Sequence, residues 1–183
     1  MNKIKKLTDS YKDFISVPWR SDAAPGQRVF FCVYDGKDEL KLRSRIDEFE
    51  TETKQAGHDW TIFDLTDTFA EWLSGQKYAT NYFKAPAKLT PLLPRYLDFI
   101  EKKFKESFAD HHLDQNTVVA TMGVASIFGF LKAKEVVDKL APLVPGRLLV
   151  FFPGTHENNN YRLLDGYDGW NYLAVCITGA RNT

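Results

Sequence analysis

Two segments of this chain, Arg28 to Tyr34 and Arg147 to Phe152, are almost unbroken runs of aliphatic, β-branched and aromatic residues. Side chains of a strand alternate between its two faces, so a run that is apolar at every position leaves neither face to water. Such strands belong in the interior of a sheet that is covered on both sides. Each run stops at turn residues, Asp35-Gly36 and Pro153-Gly154, and two shorter strands are expected at Trp60 to Leu65 and Thr117 to Met122. Helical periodicity fills the intervals. Ile4, Leu7, Tyr11, Phe14 and Ile15 mark a helix over residues 2–16, and a charged helix is expected from about Asp38 to Gln55 on Leu42, Ile46 and Phe49. Thr66 is positioned to cap a helix carrying Phe69, Trp72 and Leu73. Leu93, Tyr96, Leu97, Ile100, Phe104 and Phe108 define a strong helix from about Leu92 to Phe108, and a further one spans about Leu131 to Leu140.

This alternation predicts a three-layer α/β domain over residues 1–183, with a largely parallel sheet flanked by helices. At the C-terminal end, Tyr161 to Leu164 and Trp170 to Thr178 flank Asp165-Gly166-Tyr167-Asp168-Gly169. Its two Asp-Gly steps predict a hairpin at or near the sheet edge.

Ligands of such sheets sit beyond the carboxyl ends of the strands, so the chemistry is sought at Asp35-Gly36, Asp64, Met122-Gly123 and Pro153 to Glu157. No phosphate loop is found there. The one Gly-Lys step, Gly36-Lys37, is followed by Asp38 and Glu39, whose carboxylates would repel a phosphate, and Gly123 to Gly129 lacks a lysine. The topology expected for the sheet is P-loop-NTPase-like, lacking the phosphate loop. His111-His112 with Asp110 and Asp114 reads as a polar loop, and His156-Glu157 lacks a second histidine one helical turn on. No catalytic residue, metal ligand or cofactor is predicted. A carboxylate site built on Asp35, Asp165 and Asp168 is the one enzymatic alternative, against which each of these Asp residues precedes a turn residue.

Lysine plus arginine and aspartate plus glutamate each number 24, so the formal charge is zero. The balance is a cancellation. Asp35 to Asp59 holds eight acids and five bases, whereas Lys77 to Lys105 holds seven bases and two acids with Tyr78, Tyr82, Phe83 and Tyr96 interleaved. Lys84, Lys88, Arg95, Lys102 and Lys103 form a candidate nucleic-acid strip, although charge separation of this kind equally suits a charged protein partner. Two cysteines in buried strands, Cys32 and Cys176, and a basic start without an apolar stretch after it point to free thiols and a cytoplasmic protein; no apolar run is long enough for a membrane span.

The stretch Leu149-Val-Phe-Phe-Pro-Gly154, followed by Asn160-Tyr-Arg-Leu-Leu-Asp-Gly-Tyr-Asp-Gly-Trp-Asn-Tyr-Leu-Ala-Val175, resembles the signature of the BrxB family, small cytoplasmic components of BREX (bacteriophage exclusion) defence systems. The likeness covers residues 147–178. The strands ending at Asp35-Gly36 and Gly123 agree in pattern only, and Cys176 stands where the family pattern has Pro. The resemblance implies a non-enzymatic adaptor that binds another component, a PglZ-type protein of the alkaline-phosphatase superfamily, with DNA contact secondary and no small-molecule substrate. Within the fingerprint, Pro153, Gly154, Tyr161, Arg162, Asp165, Asp168, Gly169, Trp170 and Asn171 are expected to be structural or partner-binding, with Trp170 and Tyr172 as anchors and Arg162 able to pair with Asp165 or Asp168.

Overall fold

In the computed structural model, residues 3–158, 160–171 and 174–179 are described, with residues 167–171 as backbone only. Helix α1 (Lys3–Ile15) precedes β1 (Val29–Tyr34), and α2 (Glu39–Arg43) and α3 (Ile46–Gln55) lead to β2 (Asp59–Asp64). Three helices, α4 (Thr68–Ser74), α5 (Ala79–Lys84) and α6 (Leu93–Ser107), connect β2 to β3 (Thr117–Met122). Helix α7 (Ala133–Leu140) leads to β4 (Arg147–Glu157), followed by β5 (Asn160–Leu163), β6 (Gly166–Asn171) and β7 (Val175–Thr178).

Five strands pair in parallel in the order β2-β3-β4-β1-β7, and β5 and β6 extend β4 in antiparallel fashion. Counted in chain order, the parallel strands run 5-1-4-3-2 across the sheet, the expected P-loop-NTPase-like topology. The alternation of side chains distributes the sheet between two cores. Val29, Phe31 and Val33 of β1 and Leu148, Val150 and Phe152 of β4 join α4, α6 and α7 residues on one face. Phe30, Cys32 and Tyr34 of β1 and Leu149 and Phe151 of β4 join Ile4, Leu7, Tyr11 and Ile15 of α1 and Ile46 and Phe49 of α3 on the other. Cys32 and Cys176 are free thiols, packed with opposite faces. No helix among the described residues is long and apolar enough to cross a membrane.

Local structure departs from the sequence reading at four places. The charged helix is interrupted: a 3-10 turn over Gly36–Asp38 precedes α2, and Ser44-Arg45 separates α2 from α3. There the Ser44 hydroxyl donates to the Lys41 carbonyl at 2.9 Å, competing with the helical ladder. Thr66 does not cap α4, whose N-cap position is Asp67; its hydroxyl and amide turn back to the Asp64 carboxylate. Strand β4 does not stop at Pro153-Gly154 but exchanges partners there, from β1 through Tyr34↔Pro153 to β5 from Gly154↔Leu163. The hairpin turn is Leu164-Asp165, earlier than the Asp-Gly steps suggest. The segment expected as its second arm divides into β6 and the edge strand β7.

One buried hydrogen bond ties α1 to α3. The fully buried Tyr11 hydroxyl lies 2.6 Å from Thr53 Oγ1, and the Thr53 hydroxyl donates to the Phe49 carbonyl at 2.7 Å, which makes Tyr11 the donor to Thr53. The two truncations are therefore unequal. Thr53→Val, which strands the tyrosine hydroxyl, is expected to cost about 1–3 kcal/mol, and Tyr11→Phe, which leaves Thr53 bonded to Phe49, about 1 kcal/mol. Urea unfolding of both variants measures this; equal losses would show that the pair does not work in this direction.

Candidate functional site

In this topology the connections from β1 and β4 leave in opposite directions, so the crevice between their carboxyl ends is where a ligand is expected. The chain fills it with its own groups. Asp35 caps the 3-10 turn Gly36–Asp38, its carboxylate accepting the Lys37 amide at 3.0 Å. A backbone amide that could have faced an anion is thus already satisfied by a carboxylate. The Leu164 amide donates to the Pro153 carbonyl at 2.8 Å, and a Cβ added at Gly36 would meet the Leu164 side chain at 3.0 Å. Leu164 holds φ of 54°, a left-handed conformation that a branched side chain seldom takes, with its side chain over the end of β1.

The fingerprint residues build this plug. Pro153 supplies the carbonyl for Leu164 and closes the β1 ladder. Gly154 is where β5 comes closest, since a Cβ would lie 1.9 Å from the Arg162 carbonyl oxygen. Tyr161 is buried edge-on against Phe31 (4.8 Å between ring centres, 80°) and Phe152 (5.7 Å, 76°), and its hydroxyl donates to the Ala174 carbonyl at 3.4 Å. The ring of Phe128 lies over Gly166, 2.6 Å from where a Cβ would stand. Arg162 and Asp165 are exposed, and no ion pair joins them; the side chains of Asp168, Trp170 and Asn171 and the surroundings of Gly169 lie outside the described residues, as does Tyr172. Of the carboxylates proposed for catalysis, Asp35 is committed to its turn and Asp165 to the hairpin tip. Among the described residues no three His, Cys, Asp or Glu side chains are placed to hold a metal ion.

Beside the plug, a polar network that sequence reasoning missed joins the ends of β1, β2 and β3. Arg43 donates to Glu39 at 2.7 Å, to Thr66 at 2.7 Å and to Asp64 at 3.4 Å, and the Tyr34 hydroxyl donates to Glu39. Gly123, with φ of 73°, lets β3 end against this network: a Cβ there would sit 2.5 Å from Thr66 Oγ1 and 2.6 Å from Asp64 Oδ1. Burial pushes the Asp64 carboxyl upward, but the hydrogen bonds from Thr66 and the Arg43 charge outweigh it and hold the group below its ordinary value. The donors and acceptors satisfy one another, as a brace does.

The basic strip is divided by the structure. Lys103 pairs with Glu71, Lys105 with Glu101 at 2.6 Å and Lys102 with Glu106 at 3.6 Å, so the α6 lysines are largely offset by carboxylates. Tyr96 is buried and bonded to Thr68 at 2.8 Å. What stays unbalanced is the preceding stretch. Residues 72–97 carry Lys77, Lys84, Lys88 and Arg95 without a single aspartate or glutamate, a signal legible in the sequence. Lys84, Lys88 and Arg95 are exposed and form no ion pair among the described residues. Helix α5, within this stretch, has no buried residue, and Phe83 and Tyr78 are 71% and 55% exposed. A cationic lobe with bare aromatic rings is a docking surface in form.

No protein-family model, curated protein or solved structure matches this chain.

The Arg43 brace has a pH signature. A carboxyl depressed in the folded state stabilises the fold above its unfolded value of about 4, and that stability is lost as the pH falls through the folded value. Asp64→Asn is expected to flatten the loss of stability as the pH falls below about 4. Urea midpoints across that range measure it, and superimposable profiles for the two proteins would sink the assignment.

Proposed function

We propose that this chain is a non-catalytic adaptor, a cytoplasmic BrxB-like component of a BREX assembly, which docks an acidic surface of a PglZ-type partner through α5 and the 3-10 turn that follows it (Pro86–Leu92). One observation carries the reading. A helix with no fully buried residue, packed against the core through the half-buried Tyr82, gains little packing energy from its own fold, yet this one displays Phe83 amid cations that no carboxylate among the described residues answers. Burial of that ring, with Lys84, Lys88 and Arg95 facing opposite charge, supplies an aromatic anchor surrounded by steering charges. The plug at the switch point supports the same reading, because the place where a fold of this kind binds a nucleotide is taken by Asp35 and Leu164.

A second reading rests on the same cations: Lys84, Lys88 and Arg95 meet nucleic-acid phosphates while Tyr78 and Phe83 stack on bases. Lys102 and Lys103, which pair with carboxylates, contribute less to it than the sequence suggested. Salt separates the two, since binding through phosphates falls steeply and linearly on a logarithmic scale.

Tagged chain purified from cells expressing the full operon is expected to retain the PglZ-type component. Phe83→Ala should weaken that association by roughly 2 kcal/mol, and joint reversal of Lys84, Lys88 and Arg95 to Glu should lower recovery at least about tenfold. Because Phe83, Lys84, Lys88 and Arg95 are exposed, both variants should unfold at the same urea concentration as the parent. Recovery of the chain alone would overturn the adaptor reading. Loss of binding to a DNA oligonucleotide, with protein association unchanged, would transfer the surface to nucleic acid.

A further inference from the structure

At the opposite end of the sheet, where the parallel strands begin, a pocket of about 250 Å³ is lined by Trp19, Arg20, Arg28, Asn116, Pro145 and Arg147, among others. Arg28 immediately precedes β1 and Arg147 opens β4, so the parallel pairing of these strands brings two guanidinium groups to one opening. Among the described residues both are held by neutral acceptors alone: Arg28 donates to the Pro145 carbonyl, and Arg147 to the Arg20 carbonyl at 2.9 Å and the Gly146 carbonyl at 3.3 Å. The nearby carboxylates are engaged elsewhere. Asp22 pairs with Arg20 at 3.1 Å, and Asp114 accepts the Asn116 amide at 2.8 Å and the Thr117 hydroxyl at 2.9 Å. Among the described residues, then, Arg28 and Arg147 are oriented but not neutralised.

Two further features belong to the same corner. The Arg147 guanidinium lies 4.7 Å from the centre of the Trp19 ring, and that ring stacks on His58 at 3.6 Å with 5° between planes, which holds the arginine in place. Arg28 Nε and Trp19 Nε1 are buried without an acceptor, so donors exceed acceptors there. Burial and the neighbouring Arg28 charge push Arg147 below its ordinary value, the direction expected of two like charges awaiting an anion.

We propose that Arg28 and Arg147 form a binding site for a small phosphate-bearing anion, inorganic phosphate or a phosphate monoester, at the amino-terminal end of the sheet. Planar guanidinium groups suit tetrahedral oxyanions because two N–H groups can serve two oxygens. The pocket exceeds a bare phosphate ion and leaves room for a small organic group. The site lies away from the α5 lobe and does not depend on the adaptor reading.

Calorimetric titration of the full chain with inorganic phosphate and with ribose 5-phosphate, at constant ionic strength and with acetate as control, tests the proposal. Saturable binding of at least one phosphate probe, absent for acetate, is expected. Tighter binding of ribose 5-phosphate would identify a monoester as the ligand, and equal affinity phosphate itself. Arg147→Ala should weaken binding at least about tenfold, and Arg28→Lys, which keeps the charge but not the fork, should weaken it measurably less. The indole N–H resonance of Trp19, assigned through Trp19→Phe, should shift with the same saturation curve. No saturation by either probe, or unchanged affinity in Arg147→Ala, overturns the site. If Arg147→Ala does not fold, Arg28→Lys decides: unchanged affinity overturns the proposal, and reduced affinity with an unaltered unfolding midpoint supports it.

Discussion

The parallel pairing of β1 with β4 is the contact on which the remaining structure leans. Six consecutive pairs, Val29↔Leu148 to Tyr34↔Pro153, join two strands whose residues are apolar on both faces. Neither strand can lie at an edge or leave a face uncovered without exposing large aromatic surface. One requirement therefore produces two cores: α1 and α3 cover Phe30, Cys32 and Phe151, while α4, α6 and α7 cover Phe31, Val150 and Phe152. The register of this pair also decides what stands at each end of the sheet. Asp35-Gly36 meets the start of the hairpin at one end, and Arg28 meets Arg147 at the other.

The two ends have opposite characters. At the carboxyl ends of the strands, groups answer one another: Asp35 takes an amide, Leu164 covers Gly36, and Arg43 is shared among Glu39, Thr66 and Asp64. At the amino ends, Arg28 and Arg147 are fixed in place with no carboxylate among the described residues to meet them. The α5 lobe touches one core through Tyr82 and Leu89 and has its own imbalance of charge. The activity of a fold like this is ordinarily sought at the carboxyl end, where here Asp35, Leu164 and the Arg43 network engage one another.

The strands were legible because burial on two faces writes itself into every residue, and the helices that cover them follow at helical spacing. What depended on contacts between distant segments was not. The interruption at Ser44-Arg45 breaks no propensity rule strongly, and leucine is not a residue type one would place at positive φ; the contact of Leu164 with Gly36, more than a hundred residues away, accompanies that choice. The Asp-Gly steps announced a hairpin but not which step would turn. At the candidate sites, the run without acids over residues 72–97 is visible in the sequence, whereas the exposure of Phe83 on α5 is not. Trp19, Arg28 and Arg147 carry no common motif, since only the sheet register brings them together.

Strand β4 passes unbroken from the middle of the core into the hairpin, eleven residues that at roughly 3.3 Å each span close to 36 Å. No glycine-rich joint separates the two parts, because Gly154 is enclosed by β5 and Pro153 has a fixed φ. The hairpin is thus cantilevered from a strand of the core rather than tethered to it. A body that touches its tip meets a surface whose orientation was set when the core formed, and little entropy is left to lose there on contact.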